Sequence, residues 1–223
     1  RYPWRNRRVI LLPLLTLYRI NTMPHLLTQN RKLKKTSRES EVRVFNFGIP
    51  AYQTAKGKRT CPFAGSCVKF CYAQKGAYTW GNVKPAFEWR YERTQLDSFV
   101  EEMSAEIARK RADYVRVHDS GDYYSPKYLD KWLEIARMNP RVRFYSYTNS
   151  VKMVKDSDAP QNFDFIFSDS GTQTDLIEDT DRHTRIFKSV DELHSAGYVN
   201  ASENDLNATK WFNNTGRVGL IFH

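Results

Sequence analysis

Tyr114-Val115-Arg116-Val117-His118-Asp119-Ser120-Gly121-Asp122-Tyr123-Tyr124-Ser125-Pro126 compresses a strand, a turn and a helix start into thirteen residues. Residues 114–118 have the β-branched and aromatic content of a strand. Asp119-Ser120-Gly121-Asp122 is a polar, glycine-containing turn. Ser125 before Pro126 is an N-cap followed by proline at the first helical position. That helix should run to Met138, burying Tyr128, Leu129, Trp132, Leu133 and Ile135, and Asn139-Pro140 should stop it.

The same unit recurs on both sides. Residues 42–47 alternate apolar and polar as a strand, and residues 142–148 and 163–167 read as a third and a fourth. The last two end in polar turns, Thr148-Asn149-Ser150 and Ser168-Asp169-Ser170-Gly171. A long helical pattern spans about 86–111, with Phe99, Met103 and Ile107 on one face and Glu88, Arg90 and Glu92 on a solvated one. Ser189-Val190-Asp191-Glu192 is a capping box, closed at Gly197, and residues 198–201 and 217–222 read as two more short strands. The basic residues 24–41 read as an exposed lead-in, and His183 and His194 as solvent-side residues without a role. Alternating strands and helices predict an α/β fold with a largely parallel sheet. With roughly 200 residues against the ~250 typical of a closed eight-stranded barrel, the expected form is a partial, open TIM-like barrel. It would have about six mainly parallel strands, outer helices and a cysteine-rich loop after strand 1.

All three cysteines of the chain fall within eleven residues, Cys61, Cys67 and Cys71, spaced C-x5-C-x3-C. Three thiols cannot pair off, and disulfide-stapled domains spread their cysteines along the chain. Closed zinc sites take four ligands, usually from two separated pairs, and no second pair exists here. An iron–sulfur cluster held by three cysteines leaves one coordination position open. That pattern points to a cluster, with zinc or merely buried or redox-sensing thiols as the alternatives, and to a reducing compartment. Tyr72, Tyr78, Trp80, Phe87 and Trp89 around the loop are expected to wall such a cluster from water. His118 reads as a fourth ligand, a donor to a substrate, or a satisfied core histidine.

Composition sets broader bounds. The chain has 223 residues, 40% of them apolar and 14% aromatic, as a globular domain requires. Half of the formal net charge of +10 sits on five arginines in residues 1–22. The remainder is only mildly basic, which supports a nucleic-acid partner weakly. The apolar run 9–15 is too short to span a membrane and lacks a small-residue cleavage site, so no membrane association is expected. Residues 1–22 read as an upstream or non-native extension, and 23–223 as a single α/β domain opened by Met23.

Lys32-Leu33-Lys34-Lys35-Thr36, Phe47-Gly48-Ile49-Pro50-Ala51, Thr60-Cys61-Pro62 through Cys71-Tyr72-Ala73, and Gly121-Asp122-Tyr123 resemble, in order, the landmarks of the bacteriophage gene product 88 family. More distantly, the chain resembles radical S-adenosylmethionine enzymes. Those have a partial barrel, a three-cysteine loop after the first strand, usually C-x3-C-x2-C, and a Gly-Gly-Glu-like turn after the second. The resemblance implies a 4Fe–4S cluster on Cys61, Cys67 and Cys71, with S-adenosylmethionine as a further cofactor. It also implies a ligand held by Asp119, Ser120, Gly121 and Asp122. The expected function is therefore that of a phage-type iron–sulfur protein of the host cytoplasm, acting as a radical enzyme on a small molecule. The alternatives are a non-catalytic electron-transfer, sensor or partner-binding protein, and a nucleic-acid-binding protein with a structural metal.

Overall fold

The computed structural model describes residues 25–222. The reading of residues 1–22 as an extension lies outside them. Seven strands form one sheet: β1 (Val44–Phe47), β2 (Tyr114–Val117), β3 (Arg143–Thr148), β4 (Phe163–Ser168), β5 (His183–Phe187), β6 (Val199–Asn200) and β7 (Arg217–Ile221). Their spatial order is β1-β2-β3-β4-β5-β7-β6, and every pairing is parallel. The sheet curls into an open half-barrel.

Seven strands replace the expected six. The extra one is β5, His-Thr-Arg-Ile-Phe, whose weak apolar pattern hid it. It is built by its neighbours, pairing with β4 at Phe167–His183 and along its whole length with β7. His183 therefore belongs to a strand, half-buried, with Nε2 2.8 Å from the Tyr198 hydroxyl.

Six helices surround the sheet: α1 (Arg31–Glu39), on the concave side, and α2 (Lys84–Thr94), α3 (Phe99–Lys110), α4 (Pro126–Met138), α5 (Val151–Lys155) and α6 (Val190–Ser195), on the convex face. As expected, Ser125 caps α4, its hydroxyl accepting from the Tyr128 amide at 3.3 Å. Tyr128, Leu129, Trp132, Leu133 and Ile135 are buried as well. At α6 the Ser189 hydroxyl accepts from the Glu192 amide, while Glu192 reaches the Lys188 amide, one residue short of the reciprocal box.

The expected helix over 86–111 is two helices. The break falls where Lys131 of α4 donates to the carbonyls of Thr94 (2.9 Å) and Leu96 (2.7 Å), and an ammonium outcompetes a backbone amide for them. Arg90, expected on the solvated face, is buried with Nε on the His25 carbonyl at 2.9 Å. Within the expected lead-in 24–41, the described residues 25–41 are likewise not simply exposed. Asn30 caps α1 through the Leu33 amide at 2.9 Å, and Leu26, Leu27, Leu33 and Thr36 are buried. The helix is so polar that its two inward residues escape a hydrophobicity pattern.

Strand alternation divides the sheet into two environments. Phe47, Val115, Val117, Phe144, Phe163 and Phe167 pack outward with Phe99 of α3 and Trp132 of α4. Val44, Tyr114, Tyr145, Ile166 and Val218 point to the concave side with Leu33, Leu206 and Ala208. Arg116 and Tyr147 share the phase of Tyr114 and Tyr145, so these polar residues face the hollow of the half-barrel.

Candidate functional site

A cavity of about 420 Å³ opens at the carboxyl ends of the strands, within the size range of small-molecule sites. Parallel α/β folds place ligands at that end. Cys61, Cys67 and Cys71 line it together with Asp119, Ser120, Gly121 and Asp122, so all seven residues singled out in the sequence meet in one place.

The cysteine loop spans the mouth. It leaves β1 and docks on the turn after β4 through the Thr172 amide to the Phe63 carbonyl (2.9 Å) and the Cys67 amide to the Ser170 carbonyl (3.4 Å). A Cβ on Gly65 would stand 2.7 Å from the Ser170 carbonyl, so only glycine allows this approach. The three thiols are free and make no disulfide. Cys61 Sγ accepts the Tyr52 amide at 3.3 Å, with Tyr52 held at φ +65°, and Asn149 Nδ2 lies 3.9 Å from Cys67 Sγ. Burial pushes the Cys61 thiol up to about 12, with Asp122 and the other two thiols adding to the rise. Cys71 is raised chiefly by burial as well.

Among the described residues, no three of His, Cys, Asp or Glu converge as a single metal ion would require. A cubane cluster sets a different demand, since each thiolate binds its own iron and the sulfurs stand apart around the cube. Three free thiols line one hollow, two of them near N–H donors.

The turn after β2 does two jobs. Asp122 is committed to structure: it accepts from Thr148 Oγ1 (2.6 Å) and the Tyr123 amide (2.8 Å) on one oxygen and from the Asn149 amide (2.9 Å) on the other. It thereby ties the β2 exit to the β3 exit. Asp119 is only half committed. Its Oδ2 accepts from Asn46 Nδ2 (2.5 Å) and the Tyr78 hydroxyl (3.3 Å), while Oδ1 is buried without a partner. Burial pushes both carboxyls up to about 6, against hydrogen bonds and, for Asp119, against Arg116 and Arg90. Ser120 and Gly121 offer backbone, Gly121 at φ +82° with Ile49 filling the space where a side chain would go.

His118 is the satisfied core histidine on one side, with Nε2 2.8 Å from the Tyr128 hydroxyl, and burial lowers it to about 3. Its Nδ1 is buried without a partner, and the residue lines the cavity at φ +66°. Of the expected aromatic wall, only Tyr72 and Tyr78 line the cavity. Trp80, just past the last 3-10 turn, is 61% exposed, and Trp89, carried on α2, packs against the main core.

Four residues were missed from sequence. Asp205 accepts from Lys32 Nζ (2.6 Å), Tyr145 hydroxyl (2.5 Å) and Arg116 Nη1 (3.1 Å). Burial alone would raise its carboxyl, but Arg116 and Lys32 override this and hold it down at about 2. The guanidinium of Arg116 lies 4.9 Å from the centre of the Tyr147 ring, and Arg116, Lys32, Asp205 and Tyr147 all line the cavity. Buried polar atoms are normally paired. Nine buried side-chain atoms are unpaired among the described residues. Six belong to residues lining this one cavity: Arg116, His118, Asp119, Tyr147, Asn149 and Thr184. This concentration makes the cavity the candidate ligand site.

Comparison with known proteins agrees with the landmarks in the sequence. The family model described as Gene product 88 matches residues 25–220. A curated relative, the Gene 88 protein of Mycobacterium phage L5, is 34% identical over 115 residues, an alignment covering 46% of each chain. The chain thus spans about half the length of that relative. No solved structure matches. With the family model covering nearly all of the described half-barrel, cysteine loop and cavity included, the chain belongs to the Gene product 88 family.

Proposed function

We propose that this is an iron–sulfur enzyme that holds one 4Fe–4S cluster on Cys61, Cys67 and Cys71, with one iron open to a small molecule in the cavity. The observation that carries this reading is the meeting of three free thiols with the unpaired polar atoms of Asp119, Asn149 and Arg116 around one hollow. When bound, the cluster would supply single-electron chemistry. The Tyr52 amide and Asn149 steady two of the sulfurs. Asp119 Oδ1 offers an acceptor to a donor group of the ligand, such as the amino group of S-adenosylmethionine. Asp122 holds the turn in place. Phe70 and Tyr72 at the mouth limit the access of water.

A second reading, a non-catalytic electron carrier or sensor, draws on the exposure of Tyr72 (55%) and Trp80 (61%) beside the loop, where a partner could dock. Anaerobic purification with iron and sulfide analysis, then electron paramagnetic resonance with and without S-adenosylmethionine, decides between them. About four irons per chain, lost in Cys67→Ala, together with a spectrum that changes on adding the cofactor, is the expected result. An unmoved spectrum favours the carrier. Iron content unchanged in Cys67→Ala refutes the ligand assignment.

A further inference from the structure

The concave wall carries hydrogen-bond donors that nothing among the described residues uses. Lys32 and Arg116 share a single carboxylate, Asp205, which is wholly buried between them. The Nε of Arg116 and the hydroxyl of Tyr147 are each buried without a partner, and the guanidinium and the ring face each other across 4.9 Å. Unused buried donors cost about 1–3 kcal/mol apiece. Their position together beside the Arg116 guanidinium points to an absent acceptor.

The other acids around the cavity do not fill that role. Asp169 is paired with Arg185 at 3.0 Å, and Asp164 with Arg182 at 3.4 Å. Asp122 is saturated by its turn, and Asp119 binds Asn46 and Tyr78 rather than Arg116. With Asp119 on the same lining, a dianion would meet repulsion that a monoanion largely escapes. Phe70, Ile186, Leu220 and Phe222 form an apolar rim next to these donors. We propose that Arg116 and Tyr147 bind the carboxylate of a small carboxylic acid whose apolar body lies against Phe70, Ile186 and Leu220. This deepens the enzymatic reading by naming the charged end of its substrate, and rests on that reading only for the chemistry that follows binding.

The test titrates the full-length chain with benzoate, benzamide and phenyl phosphate, following arginine side-chain N–H signals by NMR. Benzoate should shift one buried Nε signal saturably and bind at least tenfold more tightly than benzamide. Tyr147→Phe should weaken benzoate by roughly 10- to 100-fold, the value of one hydrogen bond to a charged group. Its hydroxyl has no partner among the described residues, so the fold should be kept, as an unchanged amide spectrum would show. No saturable benzoate shift, equal binding of benzamide, or tighter binding of phenyl phosphate overturns the proposal. None of these measurements needs iron. Failure of the chain to bind a cluster would sink the iron–sulfur reading and leave benzoate binding at Arg116 and Tyr147 unaffected.

Discussion

Asp119 shows what a half-paired buried carboxylate does to stability. It is 4% exposed, and burial lifts its carboxyl to about 6, whereas an aspartate in an unfolded chain titrates near ~3.9. Between those values the folded state binds the extra proton, so stability falls as pH rises from about 4 to about 6 and stays lower above. The full penalty is on the order of 2–3 kcal/mol. Asp205 runs the other way. Held at about 2 by Arg116 and Lys32 against the effect of burial, it stabilises the fold above about pH 4, and that contribution is lost as pH falls toward 2. Asp119→Asn keeps an acceptor for Asn46 and Tyr78 and removes the ionisation. Urea unfolding of the metal-free protein should find the variant close to the parent at pH 4 and more stable by about 1–3 kcal/mol at pH 7. A difference independent of pH would show that Asp119 is not the group responsible. The cysteines and this turn were legible because thiols, acids and glycine are chemically marked. Arg116 and Asp205 were not, since 89 residues separate them and an arginine within a strand reads as a solvated one.

The cysteine loop is positioned as a unit by its docking on the turn after β4, and Gly65 is where the two backbones come closest. A methyl group there meets main-chain atoms on Ser170 and Gly171, which cannot rotate away as a side-chain tip can. Gly65→Ala should therefore displace the loop while leaving the sheet intact, at a cost of about 1–3 kcal/mol. Thiol labelling of the metal-free protein should become at least several-fold faster at Cys67, with near-ultraviolet circular dichroism of the core unchanged. Equal labelling rates would mean that the loop is held by something else. At this scale the sequence revealed strands β1 to β4, the cap of α4 and the strand-end placement of the loop, all encoded within a few neighbouring residues. The docking partner of the loop, the break between α2 and α3, and strand β5 are set by distant groups: Ser170, Lys131 and β7. Local patterns carry no trace of them.

Across the whole molecule, the concave side of the half-barrel explains why polar residues alternate along strands that are enclosed on both faces. Helices close one face; the other surrounds a cavity whose walls come from residues as far apart as Lys32 and Phe222. The edge at β1 is covered by Thr28, which exchanges backbone hydrogen bonds with Asn46 at 2.9 and 2.8 Å. The other edge strand, β6, has only two residues, and short edges resist pairing with other chains. The cysteine loop connects the β1 exit to the β4 turn, so anything bound to all three thiols braces the first half of the sheet against the second. A ligand that binds only the folded state stabilises it by mass action, by about 2.7 kcal/mol at a hundredfold excess over its dissociation constant. For a chain of this size that is a rise on the order of 5–10 °C in Tm. Anaerobic reconstitution with iron and sulfide should produce such a rise in the parent protein and none in Cys67→Ala, whose sheet and helices are otherwise untouched. Equal rises in both would place the iron away from Cys67. No rise in either would leave the three thiols without a cluster, and the hollow as a binding site of another kind.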